Sequence, residues 1–317
     1  MNEKVVAMSF DFTSRLPLSR HELDRDYLSR NRPGLFDELF ADAATRVIVL
    51  FNGEALLAGS DDERELATLS PSEGPEADYL LYLGRTIDDA ATPYVAAVLG
   101  EAAAATLGGG AAWGNLRTLG SRLSDLQAGL FTEALALANW HDSHRFSPKT
   151  GHPTVPDLGG WVRRTEAADH QLFPRTDAAI IVGITDADDR ILLGSNALWK
   201  SNRYSLLAGF VEPGESLENA VVREVFEEAG IRVTDPVYLG SQPWPFPASI
   251  MLGFRAVVAP GQQTLTPDGE EILDLRWFSR EELVASLDEI ALPGGTSIAR
   301  AILEDWFGGP IDDRREW

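Results

Sequence analysis

Cysteine is absent from the 317 residues. That excludes disulfides, thiolate nucleophiles and any cysteine-ligated zinc. Histidine is scarce too, and the five, at 21, 141, 144, 152 and 170, are too scattered for an HExxH-type site. No apolar run approaches the roughly 20 residues of a membrane span. The opening MNEKVVAMSFDF carries one lysine and no long apolar core, so it does not read as a signal peptide. A cytoplasmic protein with no membrane partner is expected. Positive charge is in short supply, with 27 Lys and Arg against 49 Asp and Glu, a net charge of −22. Broad contact with nucleic-acid phosphates calls for the opposite sign, so no extended nucleic-acid surface is expected. Most of the acidic residues serve solubility. A chain this acidic that handles a phosphorylated ligand must still screen its own charge locally, and metal ions are the obvious means.

What is present is enough for two domains, each with a sizeable core. Residues 1–144 read as a structural or dimerisation domain. Arg46–Asn52 and Glu54–Ala58 form a strand pair across a turn, Tyr79–Leu83 and Tyr94–Val98 are further strands, and Leu123–Trp140 turns helical with Leu126, Leu130, Leu135 and Leu137 among its buried candidates. The Ala- and Gly-rich stretch Gly100–Gly114 is expected to be a surface connection. Residues 145–176, rich in Pro, Gly, Ser and Thr, form a connector. From 177 to 317 the pattern is a hairpin (178–183 and 191–194), a strand at 204–211, a helix from Ser216 to Gly230, strands near 232–239, 250–259 and 275–279, and closing helices near 280–287 and 296–307. A mixed sheet with helices packed on it, of α+β class, is the natural architecture.

The segment from Gly209 to Ile231 carries the chemistry. On a helical wheel Val221, Val222, Val225, Phe226 and Ala229 cluster on one side. Glu224, Glu227 and Glu228 fall at i, i+3 and i+4 and form a second stripe. A solvated acidic face is the ordinary meaning of such a triplet. The surroundings reverse that reading: Gly209, Glu215, Arg223-Glu224, Glu227-Glu228 and Gly230 make seven fixed positions, which random sequence would match on the order of once in 10⁸ windows. With Ile231 they match the Nudix box at every spacing, and the chain resembles the Nudix hydrolases. Pyrophosphate hydrolysis brings water to a phosphorus ringed by negative oxygens, and hard cations held by oxygen ligands neutralise that charge and activate the water. The resemblance implies Mg²⁺ or Mn²⁺ bound by Glu224, Glu227 and Glu228, with the Ala208 carbonyl as a further ligand. Glu227 and Glu228 are the central catalytic candidates, while Arg223 and Glu215 are better placed to pair and hold the loop against the helix.

Eleven residues beyond Gly230 begins Ser241-Gln-Pro-Trp-Pro-Phe-Pro-Ala-Ser249. Prolines at 243, 245 and 247 fix φ and remove three backbone donors, so a stiff extended segment presenting Trp244 and Phe246 is expected. An arbitrary loop of this kind would be a rigid surface turn. This one matches the SQPWPFPxS signature of NADH pyrophosphatases, and the whole chain is similar to that family. The resemblance implies a Nudix fold, a mixed sheet sandwiched by helices, preceded by a smaller α/β N-terminal domain. It also implies that Gln242, Pro243, Trp244, Pro245, Phe246, Pro247, Ala248 and Ser249 line the dinucleotide site. Phe210 would stack on the nicotinamide, and Phe173 would come from the other subunit of a homodimer. Glu271 would be a further metal ligand and Ala299 a backbone contact to substrate. One departure is plain. The family's zinc-ribbon cysteines fall on Ser147, Thr150, Thr165 and Ala168, which offer no thiolate or imidazole, so no zinc is expected and the connector must hold by packing or hydrogen bonds.

The implied reaction converts NADH or NAD⁺ to nicotinamide mononucleotide and AMP. Hydrolysis of ADP-ribose-like compounds, or removal of an NAD cap from an RNA 5′ end, would use the same pyrophosphate chemistry. A nucleotide-sensing module without catalysis is the alternative of another class, and it sits poorly with four intact glutamates.

Overall fold

The computed structural model describes residues 11–20, 22–60, 63–108, 110–167, 170–199, 202–262 and 264–313. Among the described residues no helix is long and apolar enough to cross a membrane. The chain forms two compact units. One comprises residues 1–19, 177–242 and 250–317, the other residues 20–176 and 243–249. This division is less linear than boundaries at 144 and 176. Phe12 and Leu16 are buried in the core that also holds Ile181, Phe278 and Ile302, which draws the start of the chain into the C-terminal unit.

The C-terminal unit is built on a six-stranded sheet. Its order is Val233–Trp244, Ser249–Val258, Asp177–Thr185, Ile191–Asn196, Ile272–Phe278, with Leu207–Phe210 paired antiparallel to Asp177–Thr185. Asp177–Thr185 is central, and successive side chains enter opposite cores because strand side chains alternate. Ile180, Val182 and Ile184 meet Val221, Val225 and Ala229 of the helix Leu217–Ala229. Ile181 packs with Leu283, Ile298, Ile302 and Leu303 from the helices Arg280–Ser286 and Ile298–Phe307 on the other side. The expected strand at 204–211 is shorter, Leu207–Phe210, and the stiff, extended segment expected from Ser241 begins within an edge strand that runs through Pro243 to Trp244. Pro243 is tolerated there because Val233–Trp244 is at the end of the sheet order, where a missing ladder donor costs little.

The second unit carries a seven-stranded sheet, ordered Leu23–Asp24, Tyr79–Thr86, Pro93–Val98, Arg46–Phe51, Glu54–Ala58, Glu65–Leu66, with Ala112–Asn115 paired to Glu54–Ala58. Arg46–Phe51 and Pro93–Val98 run parallel, which makes this sheet mixed. The helix Asp125–Ser143 is capped by the Ser124 hydroxyl and buried almost all round, with Leu130, Leu135 and Leu137 in the interior and Leu126 only half-buried. The stretch 100–114 is not a bare connection. It forms the helix Glu101–Thr106, in keeping with its alanines, and the strand Ala112–Asn115.

The connector is a small sheet of Gln171–Leu172, Val162–Thr165 and Thr154–Asp157. Its centre is the buried Arg163, which donates to the Thr154 hydroxyl at 2.8 Å, to the Thr154 carbonyl at 2.6 Å and to His141 Nδ1 at 2.8 Å. A guanidinium only donates, so His141 carries its proton on Nε2, which donates to the Gly160 carbonyl at 2.7 Å. Of the four positions matched to zinc ligands, Ser147 and Thr165 are buried. Ser147 closes a turn by accepting the Thr150 amide at 3.3 Å, and Ala168 lies outside the described residues.

Candidate active site

The helix Leu217–Ala229 starts where the Ser216 hydroxyl accepts the Asn219 amide. It stops at Gly230, whose φ of 69° is the left-handed cap conformation that glycine adopts without strain. Ala220, Val221, Val225 and Ala229 are buried, whereas Phe226 is exposed on the helix with the Arg232 guanidinium over its ring at 4.8 Å. The glutamate stripe is not uniformly solvated. Glu227 has 56% of its side chain exposed, but Glu228 keeps only 5% of its surface and its Oε2 is buried without a hydrogen-bond partner. Such an orphaned carboxylate oxygen costs free energy unless something cationic meets it. Burial pushes Glu228 up to about 9, reinforced by Glu224, Glu271, Asp268 and Glu227 around it. Burial also raises Glu224, against the pull of Arg223.

Glu224 owes its position to Gly209 on the strand Leu207–Phe210. A β-carbon built on Gly209 would lie 2.0 Å from the Glu224 carboxyl carbon, so only glycine leaves room for the carboxylate over this strand. Ala208, the preceding residue, is half-buried and paired with Ile181. Arg223 gathers the loop onto the helix. It donates to both Glu215 oxygens at 2.8 Å, to the Phe210 carbonyl at 2.9 Å and to Glu227 at 2.9 Å, and its ion pair with Glu224 is also 2.9 Å. The paired hydrogen bonds from Arg223 pull the Glu215 carboxyl down to about 2, so it remains ionised.

Glu271 is exposed at the start of the strand Ile272–Phe278. Two residues that the sequence reading passed over present it. Asp268 accepts the amides of Glu270, Glu271 and Ile272, and Asn196 donates to Glu271 Oε1 at 3.3 Å. The Asp268-Gly269 pair was the available signal, as a turn former ahead of a strand. Among the described residues no three acidic or histidine side chains already converge on one point as a finished cation site. The donor set nevertheless suits a hard cation: carboxylate oxygens, one buried and unpartnered, with Arg223 standing as the counter-charge to Glu224 and Glu227.

The residues matched to substrate binding fall into separate places. Phe210 is 59% exposed beside the glutamate helix. Gln242 is fully buried, its amide donating to the Thr296 carbonyl at 2.9 Å and its Oε1 unpartnered. Ala299 is also buried, and its amide is committed to the Ser297 cap at 3.2 Å. Pro243–Ser249 belong by their contacts to the other unit. There the Trp244 and Phe246 rings meet edge to face at 4.8 Å, and Pro245 and Ser249 are buried while Pro247 is exposed. Ala248 is half-buried. Phe173, in the same unit, is 64% exposed.

Comparison with known proteins adds an independent line. A NUDIX domain model matches residues 174–300, and a model described as an NADH pyrophosphatase-like rudimentary NUDIX domain matches residues 44–140. The chain is 42% identical over 278 residues to the NAD-capped RNA hydrolase NudC of Mycobacterium bovis, covering 84% of this chain and 85% of that protein. It is 39% identical over 195 residues to the NAD-capped RNA hydrolase NudC of Stutzerimonas stutzeri, covering 62% and 67%. To the protein of that name from Pseudomonas syringae pv. tomato it is 41% identical over 174 residues, covering 55% and 59%.

Proposed function

The chain belongs to the NADH pyrophosphatase family of Nudix hydrolases, and from that premise we propose how its residues divide the work. The enzyme is an NAD diphosphatase. Water adds to one phosphorus of the pyrophosphate, the bridging P–O bond breaks, and nicotinamide mononucleotide and AMP leave. The observation that carries the assignment of the site is the buried, unpartnered oxygen of Glu228, a carboxyl that feels the charges of Glu224 and Glu271. Glu224, Glu227 and Glu228 would hold Mg²⁺ or Mn²⁺, with Glu271 and the Ala208 carbonyl as further ligands. Bound there, the cation would supply neutralisation of the phosphate oxygens and acidification of the attacking water.

The chain's own residues do the rest. Arg223 and Glu215 are positioning residues, fixing the box loop against the helix through the contacts described above. Phe210 offers an exposed ring face to the nicotinamide. Phe173 is exposed too, and the family resemblance is what assigns it to the site of a second copy, hence a homodimer. A cytoplasmic location belongs to the same proposal, on composition alone. Analysis of the products of NADH with Mg²⁺ or Mn²⁺ tests the reaction. Glu228→Gln should lower kcat at least about 10²-fold with modest change in KM, and near-normal turnover by that variant would remove the helix face from the assignment.

The names of the relatives favour a second substrate on the same chemistry, the NAD cap of an RNA 5′ end. A net charge of −22 opposes long RNA contacts but not capture of the terminal dinucleotide. Comparing kcat/KM for NADH and for RNA bearing a 5′ NAD ranks the two.

A further inference from the structure

The proline-rich loop poses a backbone problem. Pro243, Pro245 and Pro247 supply no amide hydrogens, so the turn 245–248, between the strands Val233–Trp244 and Ser249–Val258, is short of donors of its own for its carbonyls. A short backbone bond inside the loop runs from the Phe246 amide to the Trp244 carbonyl at 2.7 Å. The missing donors come from one side chain. The Asn139 amide, on the buried helix Asp125–Ser143, donates to the Pro245 carbonyl at 2.9 Å and the Pro247 carbonyl at 3.2 Å. Asparagine has two such hydrogens, and two alternate carbonyls take them. A second side chain holds the rings. The Arg117 guanidinium, on the short helix Leu116–Leu119, lies 4.0 Å from the Phe246 ring centre and 5.1 Å from the Trp244 ring centre. Both residues fall within the segment matched by the rudimentary Nudix model, residues 44–140.

We infer that Asn139 and Arg117 are positioning residues for substrate selection, and that the rudimentary Nudix domain serves as the mould that sets the shape of the Pro243–Ser249 loop. The inference rests on the reading that this loop lines the dinucleotide site. The domain then serves by fixing the carbonyls and rings of a loop that is short of donors of its own. Asn139 acts as a donor and Arg117 as a planar cation, and these roles separate them from mere filling of space.

The test uses the full-length enzyme with NADH. Asn139→Ala should raise KM about tenfold, the worth of two modest hydrogen bonds, with kcat within about twofold and a melting temperature lowered by no more than about 4 °C. Asn139→Asp has the same shape but turns an acceptor toward two carbonyls, so it should be at least as impaired as the alanine variant. Arg117→Ala should raise KM as well, and Arg117→Lys, which restores a cation over Phe246, should recover part of it. Amide exchange followed by mass spectrometry should quicken in the peptide carrying Trp244–Ser249 and not elsewhere. Normal KM and unchanged exchange in Asn139→Asp would overturn the inference, as would a uniform loss of stability. Trp244→Ala separates this from the underlying reading. If it raises KM while the Asn139 variants do not, the loop still meets substrate and only the mould is lost. If Trp244→Ala also leaves KM unchanged, the loop is not in the substrate site and both ideas fall.

Discussion

Replacing Gly209 by alanine should inactivate the enzyme while leaving it folded. The strand Leu207–Phe210 pairs Gly209 with Ile180, and Gly209 is not among the positive-φ glycines, so alanine meets no backbone strain. Its methyl group would lie 2.0 Å from the Glu224 carboxyl carbon and 2.1 and 2.3 Å from the two oxygens. Carbon atoms pack at about 3.5–4.0 Å, so the carboxylate must retreat by roughly 1.5 Å. Metal–ligand distances tolerate only about 0.2 Å, and a misplacement of about 1 Å near reacting atoms is worth on the order of 10²-fold in rate. The moving group is the far end of a flexible side chain, so the fold should give up no more than about 1 kcal/mol, a fall of roughly 2–4 °C in Tm for a folding unit of about 150–250 residues. Three measurements decide the matter: Tm in a chelator, kcat on NADH, and the Mg²⁺ concentration for half-maximal rate. The expected pattern is a near-normal Tm, kcat down about 10²-fold and a raised Mg²⁺ requirement. Wild-type kinetics would show that Glu224 need not lie over this strand. A Tm fall of about 10 °C or more in chelator would show that the glycine serves packing instead. Either result refutes the reasoning.

Phe210→Ala should lower kcat/KM on NADH by roughly 10- to 100-fold, the worth of about 1–3 kcal/mol of stacking, and change ADP-ribose hydrolysis little. Equal losses on both substrates would remove the nicotinamide assignment. Elemental analysis of purified protein should find less than about 0.1 zinc per chain, whereas one tightly bound zinc would mean that histidines had been recruited. Burial lowers His141 from 6.5 to about 4. Unfolding therefore takes up a proton between those values, and stability that is complete above pH 6.5 should be lost as pH falls toward 4, by at most about 3 kcal/mol. Urea midpoints should follow that slope in the wild type and flatten in His141→Gln, which keeps one donor and one acceptor in place of the ring. An unchanged slope in the variant would assign the acid sensitivity elsewhere.

The parts of the molecule legible in the sequence are those whose signal is local. The glutamate helix announced its cap at Ser216, its stop at Gly230 and its carboxylate spacing within twenty-odd residues, and the structure has the helix at Leu217–Ala229. Depth was not legible. A helical wheel separates directions but cannot say that Glu228 is buried and Phe226 exposed, because that depends on what the sheet and Arg232 bring to each side. The strand Ala112–Asn115 was missed because its pairing is with Glu54–Ala58, far away in sequence, and its own residues do not alternate. The proline loop was recognised as stiff, yet nothing within it pointed to Asn139 or Arg117, which reach it across more than 100 residues. Gln242 and Ala299 were placed by likeness to a family, and the structure adds that both are enclosed.

The cross-link of Arg163 to His141 and Thr154 has a bearing on what loss of divalent ions should do to the enzyme. A fastening made of guanidinium, imidazole and hydroxyl has nothing for a chelator to extract and no sulfur for peroxide to attack. Stripping divalent ions should therefore stop turnover without opening the connector, and restoring them should restart it without a refolding step. Inhibition by chelation should then be a reversible pause in this chain, where a zinc-fastened connector would turn the same treatment into damage.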